Sequence, residues 1–100
     1  MAITPEGKVK KAVKKVLDDC GAYYFFPVTG GFGRSGVPDI ICCIDGKFVA
    51  LECKAGKNTT TALQDREIDL IRKNKGLALV VNEDTVDTLP EFIQFIKERR

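Results

Sequence analysis

Gly36-Val37-Pro38-Asp39-Ile40-Ile41-Cys42-Cys43-Ile44-Asp45-Gly46-Lys47-Phe48-Val49-Ala50-Leu51-Glu52-Cys53-Lys54 reads as two apolar runs on either side of Asp45-Gly46. Asp-Gly closes two-residue β-hairpins, because both turn positions need positive φ. Residues Asp39 to Ile44 are therefore expected as one strand and Lys47 to Cys53 as its antiparallel return. So short a turn fixes the register, with Ile44 opposite Lys47. Stepping back along both strands puts Asp39 directly opposite Glu52, on one face, with Cβ atoms about 4.5–5.5 Å apart. Glu52 and Lys54 are two residues apart and share that face. Three charged side chains thus meet at one end of an otherwise apolar hairpin.

Two opposed carboxylates repel, and the pair is unfavourable without a cation. A divalent ion resolves the conflict, and oxygen ligands suit Mg²⁺ or Mn²⁺. An ion bridging Asp39 and Glu52, with the Cys53 carbonyl as a backbone ligand, can hold a phosphate and acidify a bound water. Lys54 can orient that water or stabilise charge growing on the phosphate. The residues therefore point to metal-assisted phosphodiester hydrolysis.

Outward from the hairpin, Thr4-Pro5 is a helix start, with threonine as N-cap and proline at the first position. Val9, Ala12, Val13, Val16 and Leu17 follow at helical spacing, and Gly21 ends the helix. Residues Ala22 to Val28 are aromatic-rich and read as a strand. Residues Thr29 to Val37 hold four glycines and read as a loop. After the hairpin come a polar loop, a helix over Thr61 to Asn74 closed by Gly76, a strand over Leu77 to Val81 and a helix over Leu89 to Lys97. Thr61-Ala62-Leu63-Gln64 has the form of a capping box. The order α-β-β-β-α-β-α implies an α/β fold, a mixed sheet with helices on both sides.

A chain of 100 residues fits one domain, here taken as 1–100. No apolar run nears the roughly 20 residues needed to span a membrane. The N-terminus lacks the apolar stretch of a signal peptide, so a cytoplasmic location is expected. Cys20, Cys42, Cys43 and Cys53 show no Cys-x-x-Cys spacing and read as reduced core residues. There is no histidine, which excludes Ser-His-Asp and Cys-His hydrolases and leaves carboxylates, lysines and a metal-bound water. Net charge is only +2, but Lys8, Lys10, Lys11, Lys14 and Lys15 crowd one segment. They read as a solvated helix face or as a phosphate-contacting one. Arg34 and Ser35, in the glycine-rich loop, are further candidates for contact with a DNA backbone.

Gly36-Val37-Pro38-Asp39, a tight hairpin and Glu52-Cys53-Lys54 resemble the PD-(D/E)xK nuclease signature. With Gln64 on a following helix, the pattern resembles the VRR-NUC family in its short stand-alone form, typical of phages and bacteria. It is also similar to archaeal Holliday junction resolvases. The resemblance runs from Glu6 to about Val81. It implies a restriction-endonuclease-like core and catalytic roles for Asp39, Glu52, Lys54 and Gln64. It also implies Glu6 as an added carboxylate near the metal. On a helical wheel Glu6 lies within about 20° of Val13, which extends the inward stripe toward the sheet. The activity implied is a Mg²⁺- or Mn²⁺-dependent endodeoxyribonuclease, acting on branched DNA as a homodimer. Cleavage of flaps, or binding of nucleic acid without catalysis, are the alternatives.

Overall fold

The hairpin forms in the expected register. The computed structural model describes residues 3–28 and 33–99. Strands β2 (Ile40–Ile44) and β3 (Lys47–Cys53) are antiparallel, with Ile44 opposite Lys47 and Ile40 opposite Leu51. Asp45 and Gly46 have φ of 49° and 82°, the left-handed pair that matches the strands' twist. Strand β1 (Tyr23–Phe25) adds antiparallel to β2, and β4 (Leu77–Val81) adds parallel to β3. The sheet order is β1-β2-β3-β4.

Helix α1 (Pro5–Asp19) starts where Thr4 accepts a hydrogen bond from the Gly7 amide at 3.0 Å. It ends at Gly21, φ 70°, with the Ala22 amide returning to the Leu17 carbonyl at 3.0 Å. Its buried stripe Val9, Val13 and Leu17 packs beside Leu89, Ile93 and Ile96 of α3 (Leu89–Glu98). Both helices cover one sheet face, formed by Ile40, Cys42, Ile44, Val49, Leu51, Cys53 and Val81. Helix α2 (Ala62–Lys73) lies on the other face, with Ile68 against Ala50 and Ala78. Those two alanines leave room for the helix to approach the sheet closely. The expected order and the two-sided sheet hold. Among the described residues no helix is long and apolar enough to cross a membrane.

Several local expectations need correction. The aromatic strand covers only Tyr23–Phe25, since Pro27 has no amide to give to a ladder. Asp39 precedes β2 instead of opening it, and its side chain, not its backbone, meets β3. At the end of α2 the left-handed position is Lys75, φ 71°. Gly76 answers a need for space: a Cβ there would lie 2.8 Å from Ile71 Cγ2 and 3.1 Å from Phe48 Cδ1. Cys42 and Cys53 are buried as expected, but Cys43 is exposed. In the glycine-rich segment, residues 29–32, with Gly30 and Gly31, lie outside the described residues.

Gly36 has the role with most consequence for the site. Its φ is 79°, and a Cβ would meet the carbonyl carbon and oxygen of Leu63 at 2.5 Å and the Gln64 amide at 2.9 Å. The loop before Asp39 is thus pressed backbone to backbone against the first turn of α2. Gly36→Ala should cost about 2–5 kcal/mol in urea denaturation, from left-handed strain plus overpacking. Gly46→Ala has a similar φ of 82° and open space around it, and should cost only about 1–2 kcal/mol. Equal losses would show that the contact with α2 carries no weight.

Candidate active site

Strand β3 delivers Glu52 to the sheet face under α2, where it is 2% exposed. The alternation that buries Ala50 beneath Ile68 puts Glu52 one step further along, beneath the helix's first turn. Gln64 meets it there. The Gln64 side chain donates from Nε2 to Glu52 Oε2 at 3.1 Å. Its Oε1 accepts from the Thr61 amide at 2.9 Å, while its own amide donates to Thr61 Oγ1 at 3.2 Å. The capping box that starts α2 therefore also aims Gln64 at Glu52. Lys54, on the same face, brings Nζ to 3.7 Å from Glu52 Oε2. Its side chain is only 12% exposed.

Asp39 closes the other side. Its Oδ2 accepts from the Cys53 amide at 2.8 Å, and its Oδ1 lies 3.5 Å from Lys10 Nζ of α1. Amide and carbonyl of one strand residue point to the same edge. The Cys53 carbonyl therefore faces the Asp39 side as well. The three residues that the hairpin register brings together in sequence are together in the structure, with Gln64 joined to them.

The electrostatics are those of a crowded acidic site. Burial, then the charge and hydrogen bonding of Asp39, push the Glu52 carboxyl up to about 8, against the pull of Lys54. Apart from that carboxyl–carboxyl contact with Asp39, the buried Glu52 Oε1 receives no hydrogen bond from a protein donor among the described residues. Such an atom costs about 1–3 kcal/mol, and it is the feature that fits a cation. Two carboxylates and a backbone carbonyl form a hard, all-oxygen donor set of the kind Mg²⁺ and Mn²⁺ take. Burial also pushes the thiols of Cys42 and Cys53 up to about 12, so neither supplies a thiolate nucleophile at neutral pH.

The remaining candidates are placed differently. Glu6 is half-buried at the start of α1 and adds only the last of the influences on Glu52. Among the described residues no three His, Cys, Asp or Glu side chains gather to hold a metal. Glu6 nonetheless stands near enough to Glu52 to act on it through its charge. Lys8 and Lys11 are exposed, Lys14 is paired with Asp18 at 2.9 Å, and Lys10 is turned toward Asp39. Ser35 is exposed. Arg34 is engaged: Nε and Nη2 donate to the two oxygens of Glu67 at 3.0 and 2.9 Å. That fork ties the loop before Asp39 to α2, and the guanidinium holds the Glu67 carboxyl below its usual range. Sequence reading passed over Glu67. The available signal was its place with Gln64, Ile68 and Ile71 on the inward spacing of α2.

No protein-family model matches the sequence, and no curated protein matches it. Comparison with solved structures does find a relation. A structure described as "VRR_NUC domain" superposes with a TM-score of 0.72 over 97% of this chain and 99% of that chain, at 24% identity. The chain has the VRR_NUC fold. Coverage of both chains is nearly complete, so the shared VRR_NUC architecture includes the sheet end that carries Asp39, Glu52 and Lys54.

The raised Glu52 carboxyl has a consequence for stability. The folded protein holds a proton there that the unfolded chain, near 4.5, has released. Its contribution is therefore full below about pH 4.5 and is lost as pH rises through about 8. In EDTA, Glu52→Gln should match wild type near the acid end of that window and exceed it at the alkaline end. Denaturation curves across the range check this, and a wild-type advantage at the alkaline end would contradict the burial of a costly charge.

Proposed function

We propose that the chain is a metal-dependent DNA endonuclease that hydrolyses phosphodiester bonds. The observation that carries the reading is the Asp39–Glu52 pair, in which the buried Glu52 Oε1 receives no hydrogen bond from a protein donor among the described residues, with Lys54 at 3.7 Å from Glu52 Oε2. Asp39, Glu52 and the Cys53 carbonyl would hold Mg²⁺ or Mn²⁺, with water and substrate oxygens completing the shell. Mg²⁺ commonly takes one or two carboxylates and keeps several waters, and the Asp39–Glu52 pair can supply those carboxylates. The ion, when bound, supplies Lewis acidity and an acidified water. Lys54 orients the attacking water and offsets charge that develops on the phosphate. Gln64 holds Glu52 in one orientation from the cap of α2. Glu6, at the start of α1, would be an added carboxylate near the metal. Lys8 and Lys11, exposed on α1, are placed for phosphate contact. Arg34 reaches a DNA backbone by leaving Glu67, while Ser35 is exposed beside it.

The substrate proposed is branched DNA, with symmetric cleavage of four-way junctions by a homodimer. Two observations support assembly. One site cuts one strand at a time, and a two-fold dimer supplies two. On the α2 side of the sheet, Tyr23, Phe25 and Phe48 are 70%, 47% and 45% exposed. Cys43 is exposed beside them. Helices α1 and α3 cover the opposite face, that of Tyr24, and leave this one open. A second copy covers it in the proposed dimer.

A panel of four-way junction, flap, single-stranded and duplex DNA, each with Mg²⁺ or Mn²⁺, tests the activity. Wild type should cut the junction. Asp39→Ala and Glu52→Ala should lose at least about a hundredfold in rate while melting like wild type. Lys54→Ala should lose cleavage yet keep a calorimetric Mn²⁺ site, because a charged lysine is no metal ligand. Wild-type cutting by Asp39→Ala would sink the assignment.

For the dimer, light scattering at micromolar concentration should give about twice the chain mass of 11.0 kDa. Phe25→Lys should shift it to the single-chain mass. A monomeric wild type that prefers flaps would replace junction resolution with flap cleavage.

A further inference from the structure

On α1 two lysines follow a common helical pattern. Lys14 and Lys15 pair with Asp18 and Asp19 one turn onward, each at 2.9 Å. Lys10 departs from it. Glu6 stands one turn before it, yet the ion pair of Lys10 leaves the helix for Asp39, Nζ to Oδ1 at 3.5 Å. Asp39 is oriented for this contact, because its other oxygen is fixed on the Cys53 amide at 2.8 Å. The Lys10–Asp39 separation exceeds the roughly 2.7–2.9 Å of a charge-assisted hydrogen bond. The ammonium therefore acts as a neighbouring charge more than as a locked donor. The Lys10 side chain is 38% exposed, against 12% for Lys54. One lysine is enclosed with Glu52 and Gln64. The other stands at the rim on a flexible stem, free to turn outward.

We infer that Lys10 is the resident counter-cation of Asp39 and yields that carboxylate to a divalent metal ion, which frees its ammonium for a backbone phosphate of bound DNA. The inference rests on the metal-dependent reading of the site. Asp39 Oδ1 is the oxygen left open by the Cys53 contact, and two cations crowded on it repel. Lys10 therefore opposes metal binding in the free protein. Once turned away, it faces the solvent side of the same site, where the anionic backbone must lie for cleavage. A lysine that merely adds to a basic face would strengthen DNA binding equally with and without the metal. Lys10 should do so only with it.

Calorimetric titration of Mn²⁺ into wild type, Lys10→Gln, Lys10→Met, Lys10→Arg and Lys15→Gln tests the first half. Either neutral variant at position 10 should bind Mn²⁺ about fivefold tighter or more. Lys10→Arg and Lys15→Gln should stay within about twofold of wild type. Unchanged or weaker binding by both neutral variants, melting like wild type, overturns the inference and leaves the metal site standing. An equal gain in Lys15→Gln overturns it as a general charge effect. No Mn²⁺ binding by any form removes the metal reading and the inference with it. Fluorescence anisotropy of a labelled four-way junction tests the second half. Lys10→Gln should weaken binding about fivefold in Ca²⁺ and leave it unchanged in EDTA. Equal weakening in both, or none in either, overturns the exchange.

Discussion

A carboxylate buried under a helix must be neutralised or partnered, and Glu52 is where this chain meets that constraint. Much of the architecture on the α2 side bears on it. The amide of Gln64 can reach Glu52 because the capping box fixes the first helical turn. That turn is in place because the loop at Gly36 lies against the Leu63 and Gln64 backbone with no side chain between them. The loop is held a second time by the fork from Arg34 to Glu67. Even with these contacts Glu52 Oε1 receives no hydrogen bond from a protein donor among the described residues. A protein assembled for stability alone would place an apolar residue there.

The site lies at the seam between the two layers. Glu52 and Lys54 belong to the α2 face, while Asp39 reaches Cys53 of β3 and Lys10 of α1, whose helix covers the opposite face. The acidic pair is thus gripped from both sides of the sheet.

Much of this was legible in the sequence because it rests on local rules. Asp45-Gly46 permits one tight turn, the turn fixes the register, and the register opposes Asp39 to Glu52. Thr61 and Gln64 stand at capping-box spacing, and the box forms. What the sequence hid were contacts between distant segments. Arg34 pairs with Glu67 across 33 positions. Gly36 read as one glycine of a loop, whereas it makes room for α2. Gly76 read as the residue that closes α2, whereas Lys75 takes the left-handed conformation and Gly76 clears space for Ile71 and Phe48. Lys10 looked like one more member of a basic face, because helical spacing does not tell which lysine finds a partner on another element.

The strands lie in the sheet in the order in which they occur in the chain, but only β2 and β3 pair locally, whereas β4 joins β3 in parallel from across α2, so the hairpin is the part of the sheet that can close fast. Hairpins of this kind close in about 1–10 μs, and this one zips outward from Asp45-Gly46. The last rung of the ladder is Ile40–Leu51. The next would be Asp39–Glu52, and there the backbone pairing stops. Closing this end brings two carboxyls together, which repel when both are charged and do so less when a proton or a cation lies between them. The state of ionisation at one end of the hairpin thus bears on how readily the sheet closes there as well as on what the site can hold.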